Sequence, residues 1–434
     1  MKIVEIVHGY PPEYNAGSEN YTSTISNELA NSGHSVLVFS RQENPFIPEY
    51  EVQHFHDPIN SKITRVLINN ARNKDRFLDS AIDEVMEKII SEFNPDVAHI
   101  QHLNHLSLGI VSALKSHKIP IVYTLHDFWL MCPRGQFLQL NIDGEPWKLC
   151  DGQEDSKCAS ICYRRYQTGD IDNSTDQAYW SNWVHLRMTL VRSMVNSIDL
   201  FISPSKTVMK SFKSYFPSAE NKVVYLDYGF DQNFLRDRNR KRENNLVFGY
   251  IGTHIPAKGV DYLIKAFASL DGDPVLRIWG REKGEYTPYL RSLSERAIDG
   301  KKKRIQWMGE FESRQLVEQV FNKVDCLVVP SIWYENSPLV IHEAQQAGVP
   351  VITADIGGMA EYVKNGYNGL LFKFRDIASL REKMQTIVDN PDMLDSLEQK
   401  GYLYSDDGQI PDIHKHVRTI VSLFNGLLKN TNLP

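Results

Sequence analysis

The chain of 434 residues is 42% hydrophobic and 24% charged, which is typical of soluble globular proteins, and its length predicts two or three domains at roughly 150 residues each. Its apolar runs are strand-sized, well short of the roughly 20 residues that a transmembrane helix needs, so a protein that spans the membrane by helices is excluded. The net charge of −6 argues against a nucleic acid as the main partner. The first residues show no apolar segment followed by a small-residue cleavage site, so we expect a cytoplasmic protein.

The first half of the chain predicts alternating strands and helices. A strand at residues 3–7 is followed by a Gly-, Pro- and Asn-rich loop, a helix with Ser18 as its N-cap and Gly33 at its end, and a second strand at residues 36–39. Further strands are predicted at residues 96–100, 121–125 and 199–203. Their nearly continuous apolar character favours parallel strands that are buried on both faces of a sheet.

A polar, charged segment occupies residues 231–245. We interpret it as an interdomain linker or surface loop. A solvated charge run is the simpler reading, and a basic patch for anionic lipid headgroups is the alternative.

After this segment the alternation restarts. Strands are predicted at residues 246–251, 275–279, 305–308, 326–330 and 349–353, with helices near 260–270 and 338–347. The pattern predicts an α/β protein with two doubly wound, Rossmann-like domains, at residues 1–230 and 246–410. The tail, residues 411–434, is long enough for a helix that could pack back on the first domain. Neither domain opens with the G-x-G-x-x-G pattern of dinucleotide-dependent dehydrogenases.

The strongest motif is PSIWYENSPLVIHEAQQAGVPVIT, residues 330–353. A strand ends in a loop, Ser337 and Pro338 occupy the expected N-cap and first-turn positions, and a helix follows. Backbone amides at such a helix start favour anions at the carboxyl end of the sheet. Glu335 and Glu343 can line one crevice there. Since carboxylates repel phosphate, sugar hydroxyls are their expected partners.

These residues resemble the retaining glycosyltransferases of family 4, which have the two-domain GT-B architecture. ENSPLVIHE matches the E-x7-E motif of that family, and GGMAEYVKNGYNGLLF at residues 357–372 matches the stretch that follows. The resemblance covers essentially the whole chain. It implies two Rossmann-like domains that face each other across a cleft, with the nucleotide on the second domain.

The resemblance also implies roles for the donor residues. Glu343 would hold the ribose hydroxyls and Glu335 the sugar, with help from the backbone of Asn336, Ser337, Pro338 and Leu339. In GTHIPAKGVDYLIKAF, residues 252–267, Lys258 would bind the diphosphate and Gly259 would allow a tight turn. Thr253 stands where the family usually has an arginine, and the neighbouring His254 could compensate only if protonated.

The first domain is expected to supply the acceptor side. Gly17 and Ser18 occupy the place of a glycine pair that approaches the donor phosphate in the family. His126, within YTLHDFW, resembles the histidine that faces the reacting sugar, and we assign it a catalytic role together with Glu335 and Lys258. The candidates for acceptor contacts are Tyr14, Asn15, His102, Asn104, Asp127 and Arg134.

Two further patterns raise the question of metal binding. His99, His102 and His105 lie at intervals of three, but across a predicted strand end, so we interpret them as cleft-lining residues rather than ligands. The pairs Asp271/Asp273 and Asp170/Asp172 resemble the D-x-D motif of a different glycosyltransferase fold, and we interpret both as incidental. No cofactor is therefore expected for catalysis, which we predict to be metal-independent.

The cysteines suggest a separate metal site. Cys132, Cys150, Cys158 and Cys162 have 17, 7 and 3 intervening residues and belong to an insert at about residues 130–175, whereas Cys326 lies alone in an apolar run. Structural zinc is the first interpretation, an iron–sulfur cluster is not excluded, and free or redox-active thiols and disulfides are the alternatives.

The sequence thus predicts a retaining glycosyltransferase of the hexosyltransferase type. It would move a sugar from a nucleotide-diphosphate donor to a hydroxyl of a glycan or lipid-linked glycan, in polysaccharide or glycoconjugate biosynthesis, with peripheral contact to the inner face of the membrane. The rival hypotheses are a non-catalytic sugar-nucleotide binding protein and an acceptor-free epimerase or hydrolase on the same fold.

Overall fold

The structure is a computed structural model that describes residues 1–71, 77–140, 147–166, 174–241, 243–298, 304–397 and 401–431. It divides into two compact units. The N-terminal unit comprises Met1–Gly229 and Pro411–Pro434, and the C-terminal unit comprises Phe230–Ile410. Within the described ranges, no helix is long and apolar enough to cross a membrane.

The strands form one sheet in each unit. They are β1 (Lys2–Ile6), β2 (Ser35–Gln42), β3 (Val52–His56), β4 (Ile63–Asn69), β5 (Val97–Ile100), β6 (Ile121–Thr124), β7 (Leu200–Ser203), β8 (Val223–Tyr225), β9 (Val247–Ile251), β10 (Val275–Trp279), β11 (Arg304–Gly309), β12 (Cys326–Val329), β13 (Val351–Ala354) and β14 (Gly369–Phe372).

Helices connect most of these strands. They are α1 (Gly17–Asn31), α2 (Ser80–Phe93), α3 (Gly109–Ser116), α4 (Asp155–Lys157), α5 (Ser174–Ser197), α6 (Lys206–Tyr215), α7 (Val260–Ala268), α8 (Tyr286–Ile298), α9 (Leu316–Gln319), α10 (Leu339–Gln346), α11 (Gly357–Tyr362), α12 (Ile377–Asp389), α13 (Met393–Leu397) and α14 (Ile413–Thr431).

Both sheets have the strand order of a Rossmann fold. The C-terminal sheet runs β11-β10-β9-β12-β13-β14, and the N-terminal sheet runs β3-β4-β2-β1-β5-β6-β7-β8. All pairs are parallel except β3 with β4. The central strands β5, β6, β12 and β13 are buried along their whole length, as their apolar sequences predict. The predicted α/β class with two doubly wound sheets is confirmed.

The order of the strands reverses once in each sheet, and ligands of open α/β sheets bind at the carboxyl ends of the strands on either side of that reversal. In the N-terminal sheet the reversal lies between β1 and β5, which pair in parallel from Ile3 with Val97. In the C-terminal sheet it lies between β9 and β12, which pair from Phe248 with Cys326. The loops after these four strands are therefore the places to look for function.

The C-terminal helix packs back on the N-terminal unit, as the sequence suggested. Helix α14 contacts α1, and His416 on α14 bonds through Nε2 to the hydroxyl of Tyr21 at 2.7 Å. Phe424, further along α14, lies edge-on to His99 with ring centroids 5.5 Å apart. The helix thus closes one face of the first sheet.

The charged segment at residues 231–245 does not behave as a free linker. Arg240 pairs with Asp325 at 2.9 Å, and the backbone amide of Arg238 donates to Ala347 O at 3.1 Å. The segment is part of the C-terminal unit because ion pairs and backbone bonds hold it against that sheet, which the sequence alone did not indicate.

Two predicted helix starts are wrong by a residue or two. Helix α1 begins at Gly17 with Ala16 as its N-cap, and the Ser18 hydroxyl donates to Glu19 Oε2 at 2.8 Å instead of capping the helix. Helix α10 begins at Leu339 with Pro338 as its N-cap, so Ser337 precedes the cap.

Candidate active site

The loops after β9 and β12 meet at the strand-order reversal of the C-terminal sheet. Gly259 ends the β9 loop with φ +67°. A Cβ placed there would lie 2.1 Å from the carbonyl oxygen of Pro330, so only glycine allows the two loops to approach this closely. This contact places the loop of residues 252–259 beside the loop of residues 330–338.

Glu335 is the centre of this loop pair. Its Oε1 accepts hydrogen bonds from Lys258 Nζ at 2.8 Å, from the Ser331 hydroxyl at 2.7 Å and from Trp333 Nε1 at 2.9 Å. The Glu335 side chain is 8% exposed and that of Lys258 is 32% exposed, so the ion pair lies at the edge of the surface. Because the three donors converge on one oxygen, they fix the carboxylate while Oε2 stays available to a ligand.

Two glycines hold the backbone of this loop. The amide of Gly358 donates to Glu335 O at 2.9 Å, and a Cβ on Gly358 would lie 1.3 Å from Asn336 O. Gly357 has φ +57°. The GG pair of residues 357–358 is required because any side chain at Gly358 would displace residues 335–336.

Glu343 lies on α10, directly after the buried His342. Burial raises the pKa of the Glu343 carboxyl to about 7, and the neighbouring His342 lowers it only in part. Among the residues that the structure describes, the Glu343 carboxylate has no hydrogen-bond or ion-pair partner. His342 fixes the rotation of α10, since its Nδ1 bonds to Pro338 O at 3.1 Å and its ring packs 4.3 Å from that of Tyr362. Glu343 is therefore a positioned acceptor for hydroxyl donors.

The N-terminal unit gathers polar side chains at the corresponding edge of its sheet. His8 Nε2 lies 3.3 Å from Glu19 Oε1, and His102 Nε2 lies 3.4 Å from Asp127 Oδ2. The two imidazoles meet edge-on with centroids 4.6 Å apart. Burial raises the pKa of Glu19, but the bonds from His8 outweigh it and bring the value to about 2. Both carboxylates are thus charged at neutral pH.

His126 is held in the neutral form. Its Nε2 lies 2.7 Å from Gln101 Oε1 and its Nδ1 lies 2.7 Å from the Tyr228 hydroxyl. Burial, reinforced by the nearby His102, lowers the pKa of His126 to about 3. The partners assign the proton to Nε2, which donates to Gln101, while Nδ1 accepts from Tyr228.

Family models match both halves of the chain. The family model for Glycosyltransferase Family 4 matches residues 16–234, which is half of the chain, and the model for glycosyl transferases group 1 matches residues 231–404. The chain belongs to glycosyltransferase family 4.

Individual relatives are distant. The chain is 22% identical over 378 residues to an uncharacterized glycosyltransferase of Methanocaldococcus jannaschii, covering 85% of this chain and 84% of that protein. It is 30% identical over 154 residues to a D-inositol 3-phosphate glycosyltransferase of Nocardia farcinica, 34% of each protein.

Solved structures show the same fold over nearly the whole chain. Sucrose-phosphate synthase from Thermosynechococcus elongatus matches with a TM-score of 0.71 at 17% identity, covering 99% of both chains. Anabaena HepE in complex with UDP and glucose matches with a TM-score of 0.66 at 17% identity, covering 98% of this chain and all of the other. The fold is GT-B, as predicted.

In this family 4 glycosyltransferase, the departure at Thr253 leaves the β9 loop with fewer cations. His254 does not replace the missing arginine. It is buried, its Nδ1 lies 3.2 Å from the Thr287 hydroxyl, and burial lowers its pKa, with a further decrease from Arg291 that Glu282 opposes. His254 is therefore neutral at pH 7, and Lys258 is the side-chain cation of residues 252–259.

The predicted acceptor-side residues of the glycosyltransferase fall into two places. Asn104 and Arg134 line a cavity of about 210 Å³ in the N-terminal unit, and His102 and Asp127 lie behind its wall at Trp129. Tyr14 and Asn15 lie elsewhere, in the loop after β1. The Tyr14 ring packs against Gly9 and within 5.6 Å of the Arg41 guanidinium, and Asn15 donates to Pro12 O at 3.4 Å.

The three histidines at intervals of three residues, His99, His102 and His105, lie in different surroundings. His105 lines the cavity, but His99 is fully buried and bonds to Glu5 at 3.1 Å and to Thr124 at 2.8 Å. The expectation that His99 lines a cleft is wrong because its strand, β5, lies at the centre of the sheet. Of the D-x-D pairs, Asp271 pairs with Arg381 at 3.1 Å, and Asp170/Asp172 lie outside the described residues.

The predicted zinc site stays a prediction. None of the five cysteines forms a disulfide, and no group of three or more His, Cys, Asp or Glu side chains in the described ranges is arranged to hold a metal ion. Burial, reinforced by Cys132, Cys162 and Cys150, raises the pKa of Cys158 to about 12, so the four cysteines of the insert lie near one another.

Sequence reasoning missed several residues of the site. His8, Glu19 and Gln101 were not singled out, although His8 lies two residues after the end of β1 and Gln101 directly follows β5. Ser331 and Trp333 were quoted within a motif without a role. Polar residues that directly follow a buried strand were the available signal.

Proposed function

We propose that this chain is a retaining, hexosyltransferase-type glycosyltransferase that moves a sugar from a nucleoside diphosphate to a hydroxyl of a glycan or lipid-linked glycan. The observation that carries the proposal is the Lys258–Glu335 pair at the strand-order reversal of the C-terminal sheet, with Glu343 on the helix that follows. The likeness to a protein whose structure holds UDP and glucose supports a nucleotide sugar as the donor.

Each donor residue has a role that suits its surroundings. The Glu343 carboxylate, which lacks a protein partner in the described ranges, would accept hydrogen bonds from the ribose hydroxyls. Glu335, fixed through Oε1, would accept from sugar hydroxyls through Oε2. Lys258 and the backbone N–H groups of Ser337 and Leu339 at the start of α10 would bind the diphosphate.

The chemistry that fits these groups is attack on the same face of the sugar. The bond from the anomeric carbon to the leaving phosphate oxygen breaks while the acceptor oxygen bonds to that carbon, and the acceptor proton passes to the leaving phosphate. Glu335 suits the role of a fixed acceptor better than that of a nucleophile because three donors engage it. His126 suits the role of a hydrogen-bond donor better than that of a base because its pKa is about 3.

Nucleotide titration tests the donor site. In calorimetry with UDP, GDP, dTDP and ADP, we expect one nucleotide to bind selectively and Glu343→Ala to weaken its binding by roughly tenfold or more, since hydrogen bonds to a carboxylate are lost. Glu295→Ala, at an exposed position on α8, is the matched control and should bind normally. Absence of binding by any nucleotide to folded protein would overturn the proposal.

A non-catalytic sugar-nucleotide binding protein is the second candidate, and the loss of a cation at Thr253 favours it. Such a protein would bind the nucleotide in the same titration but would not consume the nucleotide sugar. Product analysis without acceptor separates a further alternative, because an epimerase or hydrolase would consume donor alone.

Two proposals about metals accompany the function. We propose metal-independent transfer, so EDTA should leave the rate unchanged, and rescue by Mg²⁺ or Mn²⁺ after a loss in EDTA would contradict it. The four-cysteine zinc site stays a prediction. Metal analysis of purified protein decides it, and less than half an equivalent of zinc or iron would exclude the site. Cytoplasmic location and peripheral membrane contact stay predictions.

A further inference from the structure

The cavity of about 210 Å³ in the N-terminal unit has an unusual lining. It contains two guanidinium groups, those of Arg134 and Arg187, and among the described residues that line it none is an Asp or Glu. A cavity with two cations and no carboxylate favours an anionic occupant.

Of the two cations, Arg187 gives the stronger evidence for a bound anion. It lies on α5, is 2% exposed, and donates to the carbonyl oxygen of Trp129 at 2.9 Å and to the sulfur of Met188 at 3.1 Å. Its guanidinium also stacks on the Trp129 ring at 4.4 Å. A carbonyl and a thioether use two of its five N–H donors and neutralise none of its charge. Burial lowers the pKa of Arg187, and Asp127 is among the groups that oppose this, although it forms no ion pair with Arg187. A bound anion would offset the remaining cost of the buried charge.

Arg134 is half-buried and likewise has no acidic partner. Its guanidinium donates to Leu138 O at 3.3 Å, which leaves further donors for a ligand. Across the described part of the chain, neither Arg134 nor Arg187 forms an ion pair with a carboxylate. The contrast is with Arg65 in the same unit, which is equally buried but pairs with Glu13 at 2.9 Å.

The remaining walls are aromatic and lie beside the candidate acceptor side. Trp129, Tyr166 and Trp183 line the cavity, and such rings bind the apolar faces of sugar rings by stacking. Trp129 also packs on His102, with centroids 5.2 Å apart, and His102 bonds to Asp127. The cavity therefore shares a wall with the polar cluster at the end of β5.

We infer that this cavity binds the acceptor and that the acceptor carries an oxyanion, either the carboxylate of a sugar acid or a phosphate, which Arg134 and Arg187 hold while a sugar ring stacks on the aromatic walls. The inference rests on the proposed transferase function and adds the class of acceptor. On this inference, the lining residues that follow β6 and those of α5 select the acceptor.

Ligand binding without donor tests the inference separately from the donor site. Saturation-transfer NMR and tryptophan fluorescence would be recorded on the full chain with methyl β-D-glucoside, methyl β-D-glucuronide and glucose 1-phosphate as probes. We expect an anionic probe to bind at least tenfold more tightly than the neutral glucoside, and the comparison of the two anions identifies carboxylate or phosphate as the preferred group.

Variants assign the effect to the two cations. Arg134→Gln should reduce the affinity for the anionic probe roughly tenfold without changing that for the glucoside. Arg187→Lys keeps a charge but loses the planar fork, so it should weaken the anion less than Arg187→Met does. Arg192→Gln, at an exposed position on α5, is the matched control, and circular dichroism together with titration of whichever nucleotide the unmodified chain binds confirms that each variant is folded.

Equal binding of glucuronide, phosphate and glucoside would overturn the inference, as would an Arg134→Gln variant with unchanged preference. If the same preparations still bind a nucleotide that Glu343→Ala releases, the proposed function stands while this inference fails. Failure of both titrations would instead remove the proposed function.

Discussion

In the C-terminal unit, the Glu335 carboxylate is charged and collects its donors from Lys258, Ser331 and Trp333 at the edge of the surface. In the N-terminal unit, His126 is neutral and half-buried, and its two ring nitrogens bond to Gln101 and Tyr228. The first region keeps a charge by pairing it, and the second holds a neutral ring between neutral partners.

The difference has a physical basis. Glu335 is buried, so the ion pair with Lys258 and the hydrogen bonds from Ser331 and Trp333 replace its lost hydration and keep it charged. His126 lies instead between the neutral partners Gln101 and Tyr228, and burial together with the nearby His102 lowers its pKa, so it is neutral and acts through hydrogen bonds. We therefore expect donor kinetics to depend on the charges of Glu335 and Lys258. We expect the contribution of His126 to depend on its hydrogen bonds.

Removal of the lysine should give the largest effect. Lys258→Ala takes away the cation that faces both Glu335 and the expected diphosphate, so kcat/KM for the donor should fall by about 10²–10³-fold, as for other groups that stabilise charge in a transition state. Steady-state kinetics with varied donor checks this. Lys265→Ala, which removes an exposed lysine on α7, is the control, and a Lys258→Ala enzyme with normal donor kinetics would contradict the role of the pair.

Removal of His126 should give a smaller effect, and on turnover rather than on nucleotide binding. His126→Ala deletes a neutral hydrogen-bonding group, so kcat should fall by about 10²-fold while the affinity for nucleotide stays unchanged. His126→Gln can keep one of the bonds and should recover part of the rate. A fully active His126→Ala enzyme would refute the catalytic role.

The pH dependence of nucleotide binding should depend on Glu343. The pKa of its carboxyl is raised to about 7, and the ribose hydroxyls need the charged form as acceptor. The affinity for the nucleotide should therefore rise about tenfold between pH 6 and pH 8, because the fraction of Glu343 in the charged form rises by about that factor. Calorimetry across this range checks the slope, which Glu343→Gln should flatten. An equal slope in that variant would assign the titration to another group.

Stability against acid should depend on His416 in the N-terminal unit. Burial lowers the pKa of His416 to about 4, while an unfolded histidine titrates at 6.5. Below pH 6.5 the unfolded state takes up a proton that the folded state refuses, so the free energy of unfolding should fall by about 1–2 kcal/mol between pH 6.5 and pH 5. Urea unfolding should show this loss reduced in His416→Gln and retained in His54→Gln, an exposed control. Equal losses in both variants would exclude His416 as the cause.

Much of the donor region could be predicted because its parts are close in sequence. Ser331, Trp333 and Glu335 lie within one loop, and strand, loop and helix follow one another there, so the local pattern indicates where the carboxylate lies. What the pattern omitted is the partner: Lys258 lies 77 positions away and meets Glu335 only because Gly259 lets the two loops touch.

The polar side chains at the edge of the N-terminal sheet could be predicted only in part. His102, His126 and Asp127 were identified from their places after strands, whereas His8 and Glu19 were not, because they come from β1 and α1 and meet the others only across the sheet. His99 shows the reverse error, since a histidine beside others in sequence proved to be a core residue.

The sequence by itself determined the two Rossmann-like sheets, the E-x7-E region and the membership of the glycosyltransferase family, because apolar periodicity and local motifs are properties of adjacent residues. Only the tertiary structure decided that the described part of segment 231–245 belongs to the C-terminal unit and that Arg187 is a buried cation with no carboxylate of the described residues within ion-pair distance. Charge pairing and burial depend on residues far apart in the chain, and packing alone brings these together.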